Sequence, residues 1–193
     1  MAGKKRPRSW LAVGAVVVYP AHGVGCVAAR ETRVVGGVEE EVVVIEFGND
    51  LSVMLPLPRA QELLRPPLSE AGLRRVHDTL RADAVLSDEA WPKRMRQAQE
   101  QLRRGDPVEL AEIVRDGVRR GQRLTANGTA FKLSVGERAL NSKARECLSS
   151  EIAVLRGLTQ ADADVWIDEQ LALPVARGEG TGDRTGGEAT PPL

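Results

Sequence analysis

Aromatic residues make up only 3% of this chain. Its core is therefore expected to be built from Val, Leu, Ile and Ala, not from stacked rings. Cysteine is almost as scarce: Cys26 and Cys147 lie far apart, with no CxxC spacing. That excludes a disulfide framework, and the apolar neighbours of both thiols predict two buried, reduced cysteines. The two histidines, His22 and His77, have no thiol or carboxylate pattern of metal-ligand spacing around them. No catalytic residue, metal site or cofactor is expected, and the chain reads as a non-enzyme. The "GVG" of "AHGVGCV" lacks GxGxxG spacing and precedes no helix, which fits a hairpin turn better than a phosphate loop. Net charge is +0, so no global pull toward nucleic acid or membrane exists. No apolar run is long enough to span a bilayer, and no hydrophobic signal core follows the basic first residues. The expected location is the cytoplasm.

The zero net charge hides a segregation. Residues 11–58 carry Arg30 and Arg33 against six acids, whereas residues 91–123 carry nine bases against five acids. An acidic front and a basic middle fit two surfaces with different partners.

The organisation follows the same division. Residues 1–9 are basic and aperiodic and read as a disordered arm. From 10 to 58 the chain is rich in Val and broken by "AHGVG", "GG" and "GND". That leaves short β-branched runs at 15–19, 25–35, 41–47 and 51–55, which predict four or five strands of a small antiparallel SH3-like or Tudor-like barrel. Residues 59–175 switch to helical periodicity and predict about five helices. Their start signals are Ser69, Ser87 or Asp88, Asp106 with Pro107, the capping box Ser134 and Glu137, and Thr159 with Asp162. "GQRLTANGTAF" reads as a loop, and residues 176–193 as a Gly-rich disordered tail. The fold class is α+β multidomain: a small N-terminal β-barrel followed by an all-helical domain.

One stretch holds most of the chemistry. In "SDEAWPKRMRQ", Trp91 precedes Pro92, Lys93, Arg94 and Arg96. Proline belongs in a first helical turn, which puts Trp91 at or just before a helix N-terminus. An exposed aromatic beside arginines is the combination that minor-groove proteins use to unstack a base step. The same Trp folded back as a hydrophobic staple onto the core fits the pattern equally well. Lys93, Arg94 and Arg96 either neutralise phosphates without sequence choice or form a solvated face.

Four stretches, "VGAVVVYPAHGVGCVAARETRVVGG", "VMLPLPRA", "AWPKRMRQAQEQLRRGDPVELAEIVRDGVRR" and "KLSVGERALNSKARECLSSEIA", occur in an order and spacing that resembles the CarD/CdnL family of bacterial RNA-polymerase-binding transcription regulators. The resemblance runs over roughly residues 10–173. It implies a Tudor-like domain, shared with the transcription-repair coupling factor, that binds a lobe of the polymerase β subunit. It also implies a helical domain that contacts promoter DNA at the upstream bubble edge, largely without sequence preference, and stabilises the open complex. On this resemblance Trp91 is the minor-groove wedge, and Lys93, Arg94 and Arg96 are the basic positions after it. Arg33, Val35 and Met54 fall on the polymerase side, Met54 standing where some relatives carry an arginine. Pro92 directly after the Trp departs from the family pattern. A monomer associated with the nucleoid, without cofactor or membrane contact, follows from this reading. The alternative is a protein-only adaptor that tethers another regulator to polymerase without touching DNA.

Overall fold

The computed structural model describes residues 8–20, 22–48, 51–83, 85–126 and 133–172. The expected tail and most of the expected N-terminal arm lie outside these residues. A short 3-10 helix (Arg8–Leu11) delivers Leu11 into the core. Four strands follow, β1 (Val16–Tyr19), β2 (Gly23–Val35), β3 (Val38–Phe47) and β4 (Ser52–Pro56). They form one antiparallel meander in the order β1-β2-β3-β4. β1 and β4 are its outer strands, so the module is a half-barrel.

Gly36 and Gly37 join β2 to β3 with φ of 61° and 87°. Two consecutive positive φ values are what a tight hairpin turn demands and what residues with a Cβ resist. β4 pairs with β3 only from Val42 to Glu46. The β2–β3 hairpin therefore continues past β4 as a two-stranded arm carrying Arg33 and Val35.

Strand alternation sends Val17, Val27, Val43, Ile45 and Phe47 to one face. Helix α1 (Leu57–Leu63) covers that face with Leu57 and Ala60, and Leu64 follows them into the same core. The compositional boundary expected at Pro58 thus falls inside a helix packed on the sheet. The same alternation corrects one expectation: Cys26 sits between buried Gly25 and buried Val27 and faces solvent. Cys147 is buried as expected, and burial pushes its thiol pKa up.

The helical domain comprises α2 (Glu70–Arg81), α3 (Trp91–Arg104), α4 (Pro107–Ala126), α5 (Val135–Arg156) and α6 (Gln160–Ala172). Its core interleaves Leu73, Val76 and Leu80 of α2 with Leu110 and Val114 of α4, Leu148 and Ile152 of α5, and Ile167 of α6. Each such side chain contributes about 1.5–3 kcal/mol on full burial. Asn141 donates to the carbonyl of Ile113 (2.9 Å) and ties α5 to α4, while Arg145 holds Asp164 and Asp168 of α6. Among the expected start signals, Ser69, Asp106, Ser134 with Glu137, and Thr159 all cap as read. Helix α4 runs past Gly121 to Ala126, into the segment read as a loop. One interior glycine costs about 1 kcal/mol relative to Ala and does not by itself end a helix. Residues 127–131 of that loop lie outside the described residues.

Helix α3 differs from the others. None of its 14 residues is fully buried. Met95, Ala98 and Leu102 rest partly buried against the core. Under the helix a groove of about 540 Å³ opens toward α4 and α5, lined in part by Arg94, Gln101, Glu112 and Arg120.

Candidate functional site

Helix α3 begins without a side-chain cap. Its N-cap is Ala90, extended at φ −57° and ψ 143°, and the Ala90 carbonyl accepts the Lys93 and Arg94 N–H groups. Ser87, expected to cap, instead accepts the Glu89 N–H (3.2 Å) and shapes the approach to the helix. The reason lies in Trp91 and Pro92, which occupy the first two helical positions. The helix therefore starts only at Trp91, and Ser87 and Asp88 lie before the N-cap position that Ala90 holds.

Trp91 is 46% exposed, and its Nε1–H donates to Ser134 Oγ at 3.3 Å. Ser134 is the N-cap of α5 and takes part in its capping box. Its Oγ also accepts the Glu137 N–H (3.2 Å), and Glu137 Oε2 accepts the Ser134 N–H (3.0 Å). The other Glu137 oxygen accepts Arg94 at 3.2 Å. Burial by itself raises the Glu137 carboxyl, but the bonds from Ser134 and Arg94 outweigh it and hold the group below the usual carboxylate range. The start of α3 is thus fastened to the start of α5 by an indole and a guanidinium. The ring of Trp91 stays outside, with its single donor already used.

Two further arginine contacts hold the linker that leads into Trp91. Arg94 donates to the Glu89 carbonyl and Arg120 to the Ser87 carbonyl. Burial, then the neighbouring Arg94 charge, lowers the Arg120 pKa, and as a guanidinium it stays charged.

The four sequence-predicted residues therefore separate. Arg94 turns inward as a support. Lys93 pairs with Glu89 across one turn while remaining mostly exposed. Arg96 is exposed and has no ion-pair partner among the described residues. Arg103, two turns further along α3, is likewise exposed and unpaired among them. An exposed ring with cations beside and behind it can stack on a base and neutralise adjacent phosphates. Ser134 and Glu137 were visible in the sequence only as a helix start. Their link to Trp91, 43 residues earlier in the chain, had no local signal.

Arg33 and Met54, two of the residues assigned to the other surface, share one side of the sheet. Arg33 pairs with Glu40, Val35 with Val38, and Met54 with Val44. Residues 40 and 44 alternate onto the same face of β3, so Arg33 and Met54 do too. This is the face opposite Val43 and Ile45, hence opposite the α1-covered core. Arg33 and Met54 are separated by about 13 Å along the strands and by two strand spacings across them. Arg33 is exposed and bonded to Glu31 (2.8 Å), and Met54 is 43% exposed. The side chain of Val35 lies outside what the structure describes. Exposed Val34 and Val38 extend the apolar character of the arm.

Among the described residues, no group of three or more His, Cys, Asp or Glu side chains could hold a metal ion. No described helix is long and apolar enough to cross a membrane.

Two family descriptions match this architecture in order. Residues 11–67 match the CarD-like/TRCF RID domain, which takes in the half-barrel and α1. Residues 75–168 match the CarD C-terminal domain, which takes in the helices that carry Trp91 and Ser134. A similar protein from Bacillus subtilis (strain 168), named "Putative transcription factor YdeB", is 26% identical over 153 residues, covering 77% of this chain and 94% of that one.

Proposed function

The chain belongs to the CarD-like family, and from that premise we propose that it is a transcription factor bridging RNA polymerase and promoter DNA. The half-barrel binds the polymerase β subunit through the sheet face that carries Arg33 and Met54, with Val35 at the end of the same hairpin. The helical domain meets DNA at the upstream edge of the transcription bubble, where Trp91 enters the minor groove and Lys93 and Arg96 neutralise phosphates. Arg94 serves the same contact from inside by holding the start of α3. The observation that carries this reading is Trp91 itself. It is a half-exposed ring at the start of a basic helix, with its indole N–H engaged behind it.

Such a protein favours the open promoter only by its difference in affinity for open and closed states. Its polymerase contact raises the local concentration of a weak DNA-binding surface, so low intrinsic DNA affinity suffices. A chain of net charge +0 is compatible with that arrangement.

The test is open-complex lifetime with the wild-type protein and with Trp91→Ala. Loss of one aromatic–base contact is worth about 1–3 kcal/mol, so Trp91→Ala is expected to shorten the lifetime by roughly fivefold or more while polymerase binding is retained. An unchanged lifetime rejects the wedge. The inward turn of Arg94 and the pairing of Lys93 favour one second reading, an adaptor that joins polymerase to another protein. DNA binding by the full chain that shows no salt dependence would support that reading instead.

A further inference from the structure

Arg65 stands where the two domains meet. Its backbone belongs to the sheet: its N–H and carbonyl exchange hydrogen bonds with Val18 of β1 at 3.0 and 2.9 Å. Its side chain belongs to the helices. Nε donates to the carbonyl of Gly105 at 3.1 Å, and a terminal nitrogen donates to the same oxygen. The guanidinium also grips both carboxylate oxygens of Glu151 on α5, one of them at 2.7 Å. Glu151 is 1% exposed, and its Oε2 also accepts the Leu68 N–H at 3.2 Å. One planar fork therefore joins the edge strand of the half-barrel, the C-terminal end of α3 and the C-terminal third of α5.

The packing around this junction is close. Gly105 closes α3 in the left-handed conformation with φ 63°. A Cβ at Gly105 would lie 2.7 Å from Cβ of Pro20, the residue just after β1. The space left among Val18, Pro20, Arg65, Gly105 and Glu151 is about 10 Å³, too little for a comfortable water. A guanidinium on the last turn of α3 also suits the partial negative charge at a helix C-terminus.

Helix α3 is thus a rod of 14 residues, about 20 Å long. It has no fully buried residue, rests on the core through partly buried Met95, Ala98 and Leu102, and is clamped at its two ends. Trp91 and Arg94 hold the N-terminal end, Arg65 and Pro20 the C-terminal end. We infer that Arg65 is the positioning residue that fixes the direction of α3 relative to the half-barrel, so that a polymerase-bound half-barrel presents Trp91 at one set distance. This rests on the bridging function proposed above. Two surfaces joined by a rigid span that matches their targets reinforce each other most. If the junction loosens, each surface keeps its own affinity while the joint effect is lost.

The direct variant is Arg65→Met combined with Glu151→Met, which leaves no unpaired buried charge. Arg65→Lys is the milder variant, keeping the charge without the planar fork. A spin label on exposed Cys26 and another on Gln99→Cys of α3 report the distance between the domains. Cys147, buried and with a raised thiol pKa, labels slowly. The wild-type protein is expected to give one narrow distance distribution and the double variant a broad one, with polymerase affinity within about twofold and the gain in open-complex lifetime reduced about tenfold. Arg65→Lys is expected to fall between them. A narrow distribution in the double variant overturns the inference, as does a broad one that keeps the full lifetime gain. Should the wild-type protein give no lifetime gain, the bridging function fails, and the distance distributions still decide whether Arg65 sets the direction of α3.

Discussion

Trp91 and Ser134 are joined by a single hydrogen bond of 3.3 Å from indole Nε1 to hydroxyl Oγ. Through it, the first residue of one helix is oriented by the N-cap of another. The oxygen that receives the indole also caps α5, so local helix energetics and the aim of the Trp ring share one atom.

Replacing Ser134 by Ala is expected to remove both roles. Loss of an N-cap costs about 0.5–2 kcal/mol, seen as a lower denaturation midpoint. Loss of the indole partner frees the ring, seen as a shorter open-complex lifetime with polymerase binding unchanged. Ser134→Thr retains a hydroxyl and should preserve most of both. If Ser134→Ala lowers stability but leaves the lifetime intact, Trp91 does not depend on that bond.

Arg96 is exposed and unpaired among the described residues, so Arg96→Ala should change folding stability by no more than about 0.5 kcal/mol. The same change should weaken DNA binding uniformly across sequences and reduce the salt slope by about one. Arg94→Ala should behave differently, because its guanidinium holds Glu137 and the Glu89 carbonyl. Its expected signature is lower stability. Equal effects from the two variants would contradict the inward and outward assignments.

Two carboxylates should respond to pH with opposite signs. Glu137 has a lowered pKa in the folded protein, so the unfolded chain binds its proton more readily. Its contribution is fully present above the ordinary carboxylate pKa and is lost as pH falls through the folded value. Glu112 is raised, chiefly by burial, with Asp116 and Glu109 adding to it against Arg115. The folded state holds that proton longer, so Glu112 lowers stability as pH rises through its folded pKa. Glu137→Gln should therefore flatten the acid limb of a stability–pH curve. Glu112→Gln should raise stability at neutral pH while its amide stays next to Gln101, whose side chain donates to Glu112 at 2.9 Å. Urea denaturation from pH 3 to 8 reads both.

Gly105→Ala places a Cβ against Pro20 and forces a positive φ on a residue that resists it. The backbone term is about 1–2 kcal/mol, and crowding at a packed contact adds about 1–3 kcal/mol. A fall in denaturation midpoint that is smaller when Gly105→Ala is made in a Pro20→Gly background, which lacks the contacting Cβ, would identify the contact as the source. A midpoint unchanged by Gly105→Ala would rule it out.

Much of the fold was legible because its signals are local. Val-rich runs bounded by "GG" and "AHG" become strands, and Ser69, Asp106 and Ser134 begin helices because a side-chain oxygen needs only a neighbouring N–H. The misreadings have equally physical causes. Cys26 has apolar neighbours in sequence, but period-two alternation turns it outward. Ser87 looks like a cap, but the helix begins later, at Trp91, with Ala90 in the N-cap position. Pro58 looks like a boundary, but apolar Leu57, Ala60 and Leu64 carry the chain back onto the sheet. At the site, the sequence located Trp91 and its basic neighbours. It could not tell which cation turns inward, because that depends on Glu137, 43 residues beyond Arg94. Arg65 and Glu151 carry no local signal for the same reason: they are 86 residues apart and meet only when both domains have formed.

The absence of any fully buried residue on α3 also makes that helix permissive to change. Substitutions on its outer face leave the Leu- and Ile-rich core of α2, α4, α5 and α6 undisturbed. Charges there can be added, removed or shifted by a turn with little penalty to folding. The strength of the proposed DNA contact can therefore diverge between relatives, or be tuned by design, while the scaffold and the sheet face proposed to bind polymerase stay as they are.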